Sequence, residues 1–377
     1  MEQPLPLEDY LSPLSISELF GDISFNKLQL GHLIDVYENR LPGLAEVDFV
    51  LLGVEEFRGG GYPMRSPSAD AIRKQLYAMY HWQKDIRIAD LGNIIKGKQL
   101  QDTQAALQMV LEELAVQGKT VFILGGSHDL TLMQYHSFVS KEQVIEATVV
   151  DALIDLHEEE YALSRHFLME MLTEQPNFIR HFNHIGFQSY FVHPRLLETL
   201  DKLRFDCYRL GTAREKLEDM EPVIRSTDLF SFDMNAIRSA DAPASRLSPN
   251  GFTGEEACAL FRYAGMSTRL SSVGIFGYVP ELDRDEITAI QAAQMIWYFI
   301  EGRAVAREEA DIGEAAAFNE FHVSSDSLET SFLKSKQTGR WWMRLPDRQY
   351  VPCAYDDYLT AGKGEIPERW LRMQERM

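Results

Sequence analysis

Three short stretches concentrate residue types that bind cations. In "FILGGSHDL" (122–130) two glycines precede His128. In "DALID" (151–155) Asp151 and Asp155 flank Leu153 at two-residue intervals, and in "SFDMNAIRSADAP" (231–243) Asp233 and Asn235 are again two apart. Alternate residues of an extended chain face the same way, so Asp151, Leu153 and Asp155 share one side. An imidazole with several carboxylates is a donor set that holds a borderline-to-hard divalent ion. If the fold brings the three aspartates together, they would repel without a cation, and one would have to take up a proton. A guanidinium, Arg165 or Arg238, is the metal-free alternative. Each aspartate alone reads equally well as a turn or helix cap, and His128 alone as a structural residue after a glycine turn. Two strand ends with spaced polar residues, joined by a histidine from a third, are harder to dismiss as caps.

The surrounding pattern shows what must position these residues. Strand-like runs recur in "EVDFVLLGVEE" (46–56), "TVFILGG" (120–126), "ATVVDALID" (147–155), "HFNHIGFQS" (181–189), "FDCYRLG" (205–211), "DLFSFDMN" (228–235) and "LSSVGIFGYVP" (270–280). Helical spacing of apolar residues separates them, as in "ADAIRKQLYAMYHW", with Ser66 or Ser68 as its predicted cap, and "EITAIQAAQMIWYFIEG" (286–302). This alternation predicts an α/β fold, a three-layer, doubly wound and mostly parallel sheet with helices on both faces. In such sheets, binding residues collect at the carboxyl ends of the strands. The rhythm covers residues 46–305. Residues 1–45 read as an N-terminal extension, and 306–377, aromatic and rich in Arg and Lys, as a C-terminal extension packed on the domain.

Composition narrows the function classes. Against 57 Asp and Glu stand 37 Lys and Arg, a formal charge of −20. Nucleic acid and anionic membrane surfaces are disfavoured as main partners, because both need a cationic face. No apolar run approaches the roughly 20 residues of a membrane span, so no membrane insertion is expected. The acidic N-terminus lacks signal-peptide features. Cys207, Cys258 and Cys353 are too scattered for a disulfide framework or a zinc motif, and a reducing cytoplasm is the expected location.

With these motifs in hand, the sequence resembles the ureohydrolase family of arginase, agmatinase and formimidoylglutamase. That family carries a Gly-Gly-x-His turn, an Asp-x-His-x-Asp strand end and a Ser-x-Asp-x-Asp strand end. The likeness spans roughly residues 45–305 and includes "GYPMRSPSADAIRKQL", "PNGFTGEEA" and "YVPELDRDEITAIQAA". It implies the arginase-type fold, two manganese ions, and hydrolysis of a guanidino or formimino C–N bond. Carried over residue by residue, it makes His128, Asp151, Asp155 and Asp233 the ligands of a first metal. Leu153 and Asn235 stand where the second metal has its own ligands, a histidine and an aspartate. Near "GIFGYVP", Gly277 and Val279 take positions where the family commonly has Glu and Asn. The resemblance also puts Asp155, His166 and Glu256 at catalytic positions.

A leucine coordinates nothing, and an amide oxygen is a weak donor beside a carboxylate. The expectation is one Mn2+ or similar ion per chain, with no second metal. Family chemistry uses two cations to acidify and orient water. Losing one removes much of the electrostatic stabilisation on which such catalysis rests. Three readings follow. The first is a degenerate family member, inactive or strongly impaired, that binds a small amidine or guanidino ligand or a protein partner. The second is a formimidoylglutamase-like hydrolase working on a single metal. The third is an assembly subunit whose C-terminal extension is the contact surface. A homo-oligomer is compatible with each.

Overall fold

The computed structural model describes residues 5–61, 66–82, 85–157, 162–325 and 328–375. Residues 62–65 of the "GYPMRSPSADAIRKQL" stretch therefore lie outside the description. The main sheet is built from β1 (Leu11–Ser12), β2 (Asp35–Val36), β3 (Phe49–Gly53), β4 (Ile88–Ile94), β5 (Thr120–Leu124), β6 (Ile145–Val150), β7 (Ile179–Phe187), β8 (Asp206–Arg209), β9 (Leu229–Asp233) and β10 (Ser272–Phe276). Their order is β1-β4-β3-β5-β10-β9-β6-β7-β8, with β2 also paired to β4. β1 runs antiparallel to β4, and the other pairings are parallel.

Side-chain alternation divides the interior into two cores. Phe49, Leu51, Phe122 and Leu124 enter one, packed under the helices Ser68–Tyr77, Gly254–Gly265 and Ile287–Glu308. Val50, Leu52, Val121 and Ile123 enter the other, under Leu100–Val116, Thr131–Val139 and Phe167–Thr173. Burial on both faces is why these strands read as continuous apolar runs. This is the three-layer arrangement expected of the arginase type.

Local details depart from the sequence reading. Neither Ser66 nor Ser68 caps the helix Ser68–Tyr77. Pro67 precedes it, and the Glu55 carboxylate accepts from the backbone N–H groups of Ser68 (2.9 Å) and Ala69 (2.8 Å). A carboxylate from the preceding strand end thus does the work of the local cap. The sequence pattern does not mark β4 as a strand, because Asp90, Gly92 and Asn93 interrupt its apolar run. Arg73 answers two of those polar groups, donating from Nε to Asp90 (2.8 Å) and from Nη1 to Asn93 (2.6 Å).

The C-terminal residues form a second sheet, antiparallel, in the order β11 (Phe318–Ser324), β12 (Glu329–Ser335), β13 (Trp341–Arg344) and β14 (Tyr350–Cys353). Buried cations fasten it to the main domain. Arg225 lies 4.4 Å above the Trp342 ring and donates to the Trp341 carbonyl at 2.9 Å. Arg340 donates to Glu309 and to the Met266 carbonyl, both at 2.8 Å.

Candidate metal centre

β5, β10, β9 and β6 are neighbours at the middle of the sheet, and their carboxyl ends converge. Past β5, Gly125 and Gly126 adopt φ of +84° and +83°, a backbone that turns the chain sharply and presents His128 over the sheet. Asp151 follows β6 directly, and Asp233 is the last residue of β9. His128 Nδ1 lies 3.1 Å from Asp155 Oδ2, 3.4 Å from Asp151 Oδ2 and 3.6 Å from Asp233 Oδ2. All four residues are buried. The other ring nitrogen, Nε2, is 3.1 Å from Ser231 Oγ, which is itself 2.6 Å from Thr131 Oγ1. This hydroxyl pair fixes the ring so that Nδ1 faces the carboxylates, the outer support that metal-ligating histidines require.

The charges are unbalanced. Burial, with the neighbouring Asp155 charge, raises the Asp151 carboxyl. Burial and the Asp151 charge push Asp233 up to about 7. Burial opposes a charge on His128, yet its hydrogen bonds to Asp151 and Asp155 and the field of Asp233 outweigh that and hold it well above the usual imidazole range. Asp151 Oδ1 and Asp155 Oδ1 are buried with no hydrogen-bond partner. Two orphaned carboxylate oxygens beside an oriented imidazole fit a divalent ion. One donor atom each from His128, Asp151 and Asp233 lie within 4.8 Å of one another.

A cavity of about 310 Å³ opens over the cluster. Leu153 and Asn235 line it beside the carboxylates, with Val279 and Leu282 as further wall. The Asn235 side-chain oxygen accepts from Ser245 Oγ at 3.2 Å. Gly277 borders Asp233 with φ +76°, and a Cβ there would sit 2.8 Å from Asp233 Oδ2. A glutamate side chain at this position would displace the aspartate.

Two of the residues that the resemblance puts at catalytic positions are not among those lining the cavity. Glu256 does not line the cavity. Its carboxylate accepts from the Thr253 backbone N–H at 2.7 Å and from Arg214 Nε at 2.9 Å, closing a capping box on the helix Gly254–Gly265. His166 opens the helix Phe167–Thr173 and is also absent from the cavity wall. Asp155 is in place. Of the two arginines considered as neutralising groups, Arg238 is held by Asp241 at 2.8 Å, whereas Arg165 Nε comes to 3.8 Å from Asp155 Oδ1. The sequence reading missed Arg246, which lines the same cavity and makes no hydrogen bond or ion pair among the described residues. It sits in an irregular loop, "APASRLSPNG", where no periodicity marks it.

A family model described as "Arginase family" matches residues 48–301. The chain belongs to the arginase family. A formimidoylglutamase of Staphylococcus haemolyticus is 25% identical to this family member over 269 residues, which is 66% of this chain and 82% of that protein. A formimidoylglutamase of Staphylococcus aureus is 24% identical over 245 residues, 61% of this chain and 77% of that protein. Among solved structures, the formimidoylglutamase of Bacillus subtilis superposes with a TM-score of 0.66 at 17% identity, covering 76% of this chain and 96% of that one. The formiminoglutamase of Trypanosoma cruzi with Mn2+2 gives 0.63 at 18% identity, covering 73% and 98%. At such identities the superpositions establish the arginase-type fold. Among the described residues no helix is long and apolar enough to cross a membrane.

Proposed function

We propose that this arginase-family chain holds one divalent cation through His128, Asp151, Asp155 and Asp233, and binds a small amidine or guanidino ligand in the cavity above it. C–N hydrolysis is expected to be absent or strongly impaired relative to a two-metal enzyme. One observation carries the proposal. Three carboxylates crowd a single imidazole nitrogen with two oxygens unsatisfied. Beside them, at Leu153 and Asn235, stand an aliphatic side chain and an amide already engaged by Ser245.

When bound, the cation supplies Lewis acidity and neutralises the carboxylates. The protein's own groups do the rest. Thr131 and Ser231 orient His128, and Leu153, Val279 and Leu282 keep one side of the cavity apolar. Arg165 and Arg246 give the cavity a cationic side opposite in sign to its carboxylate floor. A ligand with an amidine at one end and an anionic group at the other satisfies both. Isothermal titration with Mn2+ tests the site. We expect one binding event in the wild type and none in Asp151→Asn; binding unchanged in the variant would refute the assignment.

A second reading, a slow formimidoylglutamase-like hydrolase, is favoured by the names of the curated relatives. Release of ammonia, formamide or urea from a panel of formimino and guanidino compounds decides between the two.

A further inference from the structure

β11 ends the C-terminal sheet, pairing with β12 over all seven residues without a break in register. On its other side no strand pairs with it among the described residues. Natural edge strands are usually blunted by a proline, a lysine, a bulge or extreme shortness. "FNEFHVS" has no proline, lysine or bulge, and its one acidic side chain, Glu320, lies 3.9 Å from His322 Nδ1 of the same strand and accepts from the Tyr350 hydroxyl at 3.3 Å. Phe321 stacks on Trp341 at 5.3 Å yet, like Val323, stays only half-buried at the margin of the small C-terminal core. Glu320 and His322, on the opposite face of the strand, are exposed.

We propose that β11 pairs antiparallel with β11 of a second copy of this chain, joining two four-stranded sheets into one of eight. The sequence is self-complementary about Phe321. A two-fold axis there sets Phe321 against Phe321 of the other copy and extends the aromatic margin of each core across the junction. The same register places Glu320 opposite His322 of the second copy, twice by symmetry, so an acidic group faces a basic one at both flanking pairs. Directly opposed unlike groups favour strand pairing and like charges oppose it. An isologous contact of this kind closes after two copies. The surface lies beyond residues 48–301, so it belongs to the C-terminal extension and not to the part matched by the family model.

The interface is small, so a reversible dimer is expected. Sedimentation equilibrium on the full chain at pH 6.5, over about 1–300 µM, should show monomer and dimer in exchange. His322→Glu puts like charges opposite Glu320 at both symmetric pairs and should weaken the dimer about tenfold or more. His322 is exposed but its Nδ1 lies 2.8 Å from Ser331 Oγ of β12, so circular dichroism and the melting temperature check that each variant keeps its fold. Glu320→Lys/His322→Glu restores unlike pairs in the same register and should recover the dimer. A strictly monomeric wild type would overturn the proposal. So would a dimer that His322→Glu leaves unchanged, since the contact would then lie on another surface, or a double variant that fails to recover it.

Discussion

Leu153 and Asn235 line the cavity beside the carboxylate cluster, and in the proposed one-cation site they are the two positions that would limit its capacity. That His128, Asp151, Asp155 and Asp233 come together was legible in the sequence, each standing in a short motif at a strand end, where backbone geometry leaves little freedom. Glu256 and His166, which the family resemblance puts at catalytic positions, do not line this cavity. Glu256 sits three residues after Thr253, the spacing of a capping box, and that local role claims its carboxylate. The proton inventory makes a testable claim about pH. Burial and the Asp151 charge push the Asp233 carboxyl up to about 7 in the metal-free chain, against an ordinary value of 3.8. A raised carboxyl stabilises the fold fully below its unfolded value, and that contribution is lost as pH rises through the folded one. His128, also raised, acts in the same sense. The melting temperature of metal-free protein should therefore fall from about pH 4 to above 7 on account of these groups, while apparent Mn2+ affinity rises over the same range. Calorimetry across that range checks both, and an affinity independent of pH would contradict the charge assignment. Gly277→Ala should weaken cation binding and cost about 1–3 kcal/mol of stability, because it combines a left-handed backbone with a Cβ pressed on Asp233.

Among the elements, the strands nearest the site were the easiest to read. β3, β5, β6, β9 and β10 are buried on both faces, so their sequences are apolar almost throughout. β4 was hidden because its polar residues are satisfied by Arg73, contributed by a helix that precedes it in the chain. The two-residue strands β1 and β2 carry too short a pattern for any period. Likewise, the cap on the helix Ser68–Tyr77 comes from Glu55, 13 residues before Ser68, outside the window in which caps are sought. Glu55→Ala should remove that cap at a cost of about 1 kcal/mol, measured by denaturant unfolding against the wild type. A larger loss is expected where the C-terminal sheet meets the main domain. Arg340 and Glu309 are a buried pair, and Arg340→Met would leave the Glu309 charge uncompensated, costing about 3–5 kcal/mol. A melting temperature equal to wild type would mean that this contact does not anchor the sheet.

At the level of the whole molecule, the chain combines an arginase-type domain with a small antiparallel sheet at its C-terminal end. The sequence showed the aromatic tail but not its sheet, whose strands alternate apolar and polar residues weakly. Removing residues 309–377 would uncover Arg225, now stacked on Trp342 and bonded to the Trp341 carbonyl. A chain ending at residue 308 should melt at a lower temperature or aggregate, and unchanged melting would show that the extension is dispensable for stability. The net charge of −20 adds self-repulsion that salt screens, which bears on stability comparisons made at different ionic strengths. Elemental analysis of full-length chain purified without chelators and loaded with Mn2+ should find one ion per chain, rising towards two in Leu153→His/Asn235→Asp. Two ions already present in the wild type, or none, would contradict the one-cation account.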